Sequence, residues 1–153
     1  MKSTIYLFLL IPSLLFGAKI DGKELKDCPV FLEGIEFKVT KLAGTSRMNL
    51  EGYLSLEIKN MQDTTIAIDL KSLSAVDCKG NLLNVKTINL LRIGPGEHSM
   101  FKVDLDGTYE TRKSIPPGAR LKETVPFTGP FLQDKKVPIK IYWKSDLLFK
   151  ITK

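Results

Sequence analysis

The sequence predicts an all-β protein: a two-layer β-sandwich of about seven to nine short antiparallel strands behind a cleaved N-terminal leader. Three observations predict it. Apolar and polar residues alternate with a period of two in one segment after another, turn residues recur between those segments, and no helical period appears beyond residue 18.

The leader comes first. Lys2 precedes an apolar run over residues 5–16, broken by Pro12 and Ser13, and the small pair Gly17 and Ala18 stands before Lys19. That order is a secretory signal peptide's, so residues 1–18 are expected to be cut off after Ala18 and the mature chain to be periplasmic or secreted. A membrane anchor fits less well, because the run falls short of the ~20 residues that cross a bilayer and contains helix-breaking Pro12. Cys28 lies well beyond the run and follows charged Asp27, which disfavours a lipoprotein. What remains is enough for one domain and too little for two.

The strands follow in order. Ile35, Phe37 and Val39 alternate with Glu36, Lys38 and Thr40, and Leu54, Leu56 and Ile58 alternate with Ser55, Glu57 and Lys59. Each places one face in a core and the other in water. Residues 60–64 supply a turn, after which Ile66, Ile68 and Leu70 repeat the pattern, predicting a hairpin with a longer loop. A shorter strand is expected over 73–78, reversing at Lys79-Gly80-Asn81 into 82–85. Residues 87–93 are apolar without alternation and fit either a strand buried on both faces or a packed crossover.

Two Pro-Gly pairs, Pro95-Gly96 and Pro117-Gly118, predict type II turns that deliver the chain into strands over 100–105 and 121–127. The chain closes with Val137, Ile139, Ile141 and Trp143 on one face, a turn at Lys144-Ser145-Asp146, and Leu147, Phe149 and Ile151, a terminal hairpin. Pro138 suggests an edge strand, since proline has no N–H for a central ladder. A closed barrel is the alternative architecture.

The run Gly52-Tyr53-Leu54-Ser55-Leu56-Glu57-Ile58-Lys59-Asn60, residues 66–70, Val76-Asp77-Cys78-Lys79-Gly80-Asn81, and Ile115-Pro116-Pro117-Gly118 leading to Val125-Pro126-Phe127 resemble the bacterial DUF4352-type, telokin-like immunoglobulin domains. The resemblance covers roughly residues 35–143. It implies an immunoglobulin-like β-sandwich in an exported or membrane-attached setting and no particular activity. The stretch 87–113 and an N-terminal arm over 19–34, which precedes the domain at 35–153, depart from it.

Lys and Arg number 23 against 17 Asp and Glu, a formal net charge of +6 that falls by one with the loss of Lys2. The excess favours anionic envelope components or acidic envelope proteins as partners. Its scatter along the chain is a solubilising pattern and excludes a nucleic-acid footprint. Two cysteines, Cys28 and Cys78, in an exported chain predict one disulfide. Closing so long a loop is worth roughly 4 kcal/mol on the chain-entropy model.

Chemistry is sparse. His98 and Met100 place an imidazole and a thioether on one side of a strand, and Met48 and Met61 are further soft donors of the kind copper(I) takes. The pair resembles the His-x-Met element of periplasmic copper chaperones, which carry a second histidine that this chain lacks. Asp104, Asp106 and Glu110 around Gly107 offer oxygens for calcium, without EF-hand spacing, and aspartates beside a glycine more simply make a turn. No serine sits in a nucleophile elbow, and His98 is the single imidazole base. Tyr53, Tyr109 and Tyr142 would suit a binding surface; Trp143 shares a face with Ile139 and Ile141 and belongs in the core. The expectation is an exported, non-catalytic binding module of the bacterial envelope without a cofactor, with a periplasmic copper-binding protein and an envelope hydrolase as the alternatives.

Overall fold

The computed structural model describes residues 19–20, 23–24, 28–87, 90–94, 102–107 and 110–152. Among them the chain forms β1 (Lys19–Ile20), β2 (Lys23–Glu24), β3 (Val30–Leu32), β4 (Ile35–Ala43), β5 (Gly52–Asn60), β6 (Ile66–Asp69) and β7 (Leu73–Val76). A single 3-10 turn at Leu70–Ser72 separates the last two. Then come β8 (Leu82–Asn84), β9 (Leu90–Gly94), β10 (Lys102–Gly107), β11 (Arg112–Ile115), β12 (Arg120–Phe127), β13 (Ile139–Trp143) and β14 (Asp146–Thr152).

The expected all-β sandwich is what forms. One sheet has the order β12-β5-β4-β3 and the other β2-β1-β14-β13-β7-β8, with two-stranded ribbons β6/β11 and β9/β10 beside them. Every ladder is antiparallel. Alternation does the sorting: β5 buries Leu54, Leu56 and Ile58 and turns Tyr53, Ser55 and Glu57 outward. These meet Phe37, Val39, Val125 and Phe127 from the same sheet and Leu73, Ala75, Ile139, Ile141, Phe149 and Ile151 from the other, all buried. Phe37 and Trp143 touch across the interface with ring centroids 5.2 Å apart. Each buried Val, Leu, Ile or Phe among them contributes about 1.5–3 kcal/mol of burial.

The sheets are stitched along one edge. Val85 bridges Phe127, the Lys86 N–H donates to the Pro126 carbonyl at 2.8 Å, and the Thr128 N–H donates to the Asn84 carbonyl at 3.0 Å. The segment after β8 thereby pairs with the end of β12, partly closing the sandwich. Glu123 faces inward on β12, opposite Leu56, and meets Lys113 of β11 at 3.1 Å. A charge pointing inward on an edge strand discourages pairing with another chain.

Several expectations are corrected. Strands β5 and β6 do not form a hairpin: β5 lies between β4 and β12, whereas β6 pairs with β11. Asn60, fully buried, is the cause. Its Nδ2 donates to the carbonyls of Thr64 at 2.7 Å and Ile115 at 2.9 Å, and its Oδ1 accepts the Gln62 N–H at 2.9 Å. The chain is thus led out of the first sheet toward β11. Pro138 precedes β13, which is central rather than an edge, and standing one residue before the ladder it removes no strand N–H. Asp104 lies in strand β10 as the expected 100–105 strand has it, and Asp106 lies there too rather than in a turn, with a register shift between Asp104 and Gly107. Residues 90–94, in the stretch left open between strand and crossover, form β9.

The 19–34 arm supplies strands to both sheets. The type II turn at Pro117-Gly118 is present, with Gly118 at φ +69° and the Ala119 N–H donating to the Pro116 carbonyl at 3.1 Å. So is the closing hairpin, whose two-residue turn Lys144-Ser145 joins Trp143 opposite Asp146. The Pro95-Gly96 turn lies outside the described residues.

Candidate functional site: a fastened loop at one end of the sandwich

The strand directions gather the connections into two ends. One end holds the turns at 33–34, 60–64, 116–118 and 144–145, tied by a Lys144–Glu33 ion pair of 2.9 Å. The opposite end holds loops 44–51, 77–81 and 128–138, linked by Phe131 N–H to Gly44 carbonyl and Cys78 N–H to Leu132 carbonyl. The start of β1 lies there too, since Lys19 pairs with Thr152 at the far end of β14 from the 144–145 turn.

Loop 44–51 connects β4 to β5, and its base is pinched. Gly44 has φ +72°, and a Cβ there would stand 2.1 Å from the Glu51 carbonyl oxygen, so a side chain is excluded twice over. Gly52 is equally tight, its absent Cβ falling 2.7 Å from the Phe131 ring. Within the loop the Asn49 N–H donates to the Ser46 carbonyl at 3.1 Å and Asn49 Nδ2 to Ser46 Oγ at 2.8 Å.

Beneath the tip lies a polar network. The Tyr53 hydroxyl donates to Glu51 Oε2 at 2.6 Å, and Lys86 Nζ, from the stitched edge, donates to Glu51 Oε1. The Lys86 ammonium, and after it the Tyr53 hydroxyl, holds the Glu51 carboxyl below the usual carboxylate range. The same carboxylate raises the Tyr53 phenol above its ordinary value. The network thus consumes the loop's one acidic group.

Above it the tip is exposed and apolar in alternation. Met48 is 95% exposed and Leu50 89%, with Arg47 and Asn49 between and beside them. Met48, Asn49, Leu50, Glu51 and Tyr53 line a shallow depression of about 400 Å³. Single exposed apolar residues need no explanation; two on one fastened tip are a different matter.

A second concavity of about 460 Å³ runs along β6 and β11, lined by Ala67, Ile68, Asp69, Arg112, Lys113 and Ser114. Its charged groups are engaged in structure, Lys113 with Glu123 and Arg112 with Asp69. Asp69 caps the 3-10 turn by accepting the Lys71 N–H at 3.0 Å, a bond that, with one from Thr111, keeps its carboxyl low, and Arg112 stands 3.7 Å away.

Among the described residues, those singled out in sequence do not converge. His98, Met100 and Tyr109 lie outside the described residues, as does the 1–18 leader. Met48 and Met61 are both exposed but stand at opposite ends of nine-residue β5, roughly 30 Å apart at the strand rise, too far to share an ion. Glu110 is exposed. Among the described residues no three His, Cys, Asp or Glu side chains stand close enough to hold a metal. No disulfide joins Cys28 and Cys78, and both are half-buried. Trp143 is core as expected, Tyr142 is half-buried and Tyr53 serves the network. Among the described residues no helix is long and apolar enough to cross a membrane. Sequence reasoning missed Glu51 and Lys86, which meet only because β8 turns back along β12.

No family model and no curated protein matches the chain. Among solved structures it is similar to the crystal structure of the YjhA protein from Bacillus subtilis, with 10% identity over 76% of each chain and a TM-score of 0.45.

Proposed function

We propose that this protein is an exported, non-catalytic binding module of the bacterial cell envelope that makes contact through loop 44–51. The observation that carries the proposal is the fastened tip. Met48 and Leu50 are held in water by Gly44, by the Ser46–Asn49 bonds and by the Glu51–Tyr53–Lys86 network, so the loop meets a partner already ordered. Pre-ordering of this kind reduces the entropy lost on binding, and loops on a rigid sandwich are common places for recognition. The signal-peptide pattern at residues 1–18 supports export.

The test is site-specific photo-crosslinking in intact cells, with the probe at position 50 and, as a control, at position 62 on the opposite end. A reproducible adduct, protein or lipid, from position 50 alone supports the proposal. Adducts from neither position, or from position 62 alone, overturn it.

A further inference from the structure

We infer that the partner of this end is an anionic membrane surface, into whose headgroup layer Met48 and Leu50 insert. The inference deepens the binding-module proposal and rests on it.

Three observations point the same way. First, the charge at this end is lopsided in what it leaves for a partner. Arg47, Lys79 and Lys136, one on each of the three loops, are exposed. Of the acids beside them, Glu51 is occupied by Lys86 and Tyr53, and buried Asp77 by the N–H groups of Lys79 and Asn81 and by Asn81 Nδ2. Asp134 accepts the Lys136 N–H and remains an exposed carboxylate beside these cations. Basic side chains around apolar tips are what an anionic headgroup layer attracts. The net positive charge, which stays positive after Lys2 is lost, acts in the same sense at longer range.

Second, the apolar groups cluster on the same end. Leu82, beside loop 77–81, and Val137, in loop 128–138, are exposed as well. Third, the chain enters the fold here. Lys19 opens β1 at this end, so the apolar run of residues 5–16 is joined to the domain on the side that carries Met48 and Leu50.

Among the described residues every buried apolar side chain lies between Ile35 and Ile151, so the chain from Lys19 onward is the form to test. It is sedimented with vesicles of phosphatidylcholine alone and of phosphatidylcholine and phosphatidylglycerol in equal parts, beside the variants M48D/L50D and R47E, whose fold is checked by circular dichroism. Binding to the anionic vesicles is expected, weakened about tenfold or more by M48D/L50D, and lost in high salt. Failure to sediment with anionic vesicles, or unchanged binding by M48D/L50D, overturns the inference. So does self-association through the same loop, detected as a concentration-dependent mass that M48D/L50D abolishes. A protein adduct from position 50 without vesicle binding overturns the membrane partner and leaves the binding module standing.

Discussion

Asn60 is the residue on which the path between the sheets turns, and its loss is measurable. The side chain is buried and makes three bonds, to the carbonyls of Thr64 and Ile115 and from the N–H of Gln62. In Asn60→Ala, Thr64 and Gln62 are exposed and regain water, costing about 1 kcal/mol each. The Ile115 carbonyl stays buried without a donor, adding about 1–3 kcal/mol. The sum is about 3–5 kcal/mol, a large part of the ~5–15 kcal/mol that a domain has. Urea denaturation followed by circular dichroism reads it as a fall in midpoint at unchanged slope. Asn60→Asp sharpens the test, because it keeps the acceptor for Gln62 but sets a carboxylate against two carbonyl oxygens. Its folded pKa is raised above the unfolded value, so the deficit is small below about pH 4 and grows as the pH rises through the carboxylate range. A loss under about 1 kcal/mol for Asn60→Ala, or the same deficit for Asn60→Asp at pH 4 and pH 7, would refute the role given to this side chain.

Other substitutions separate the parts of the account. Gly44→Ala, with its Cβ placed 2.1 Å from a carbonyl oxygen at φ +72°, should cost at least about 2 kcal/mol in the same assay, whereas Gly80→Ala, with open space around it, should cost only the positive-φ penalty of about 1 kcal/mol. Glu51→Gln should remove about 1 kcal/mol at pH 7. The wild-type carboxyl is depressed on folding, so its contribution is present above the unfolded value of 4.5 and fades as the pH falls through the folded one; a difference that persists unchanged in strong acid would contradict this. Phe131→Ala, which empties the space against Phe127 and Gly52, should lose about 3–5 kcal/mol.

Much of the sandwich is legible in the sequence because half-buried strands write their faces into alternate residues. Strands β4, β5 and β13 follow that rule closely, as do the glycine turns at Gly80 and Gly118. Strand β11 was missed: Arg112, Lys113 and Ser114 are polar, and the strand exists because Asn60 and β6 bring it a ladder. The false hairpin between β5 and β6 has the same origin, since adjacency in sequence says nothing of which strand a buried asparagine will favour. The loop end was illegible for another reason. Apolar character does not reveal exposure, so Met48 could be taken for a soft ligand, and only the pinched base at Gly44 shows that it and Leu50 are held in water.

A tryptophan placed at the tip gives the most direct test of the loop as the contact surface. Native Trp143 is buried near the opposite end and supplies a constant background, so the added emission of Leu50→Trp reports the tip alone. On mixing with envelope membranes that emission should shift to the blue, while Gln62→Trp at the far end should keep the emission of a residue in water. A tip tryptophan that stays water-exposed in the presence of those membranes would contradict the account.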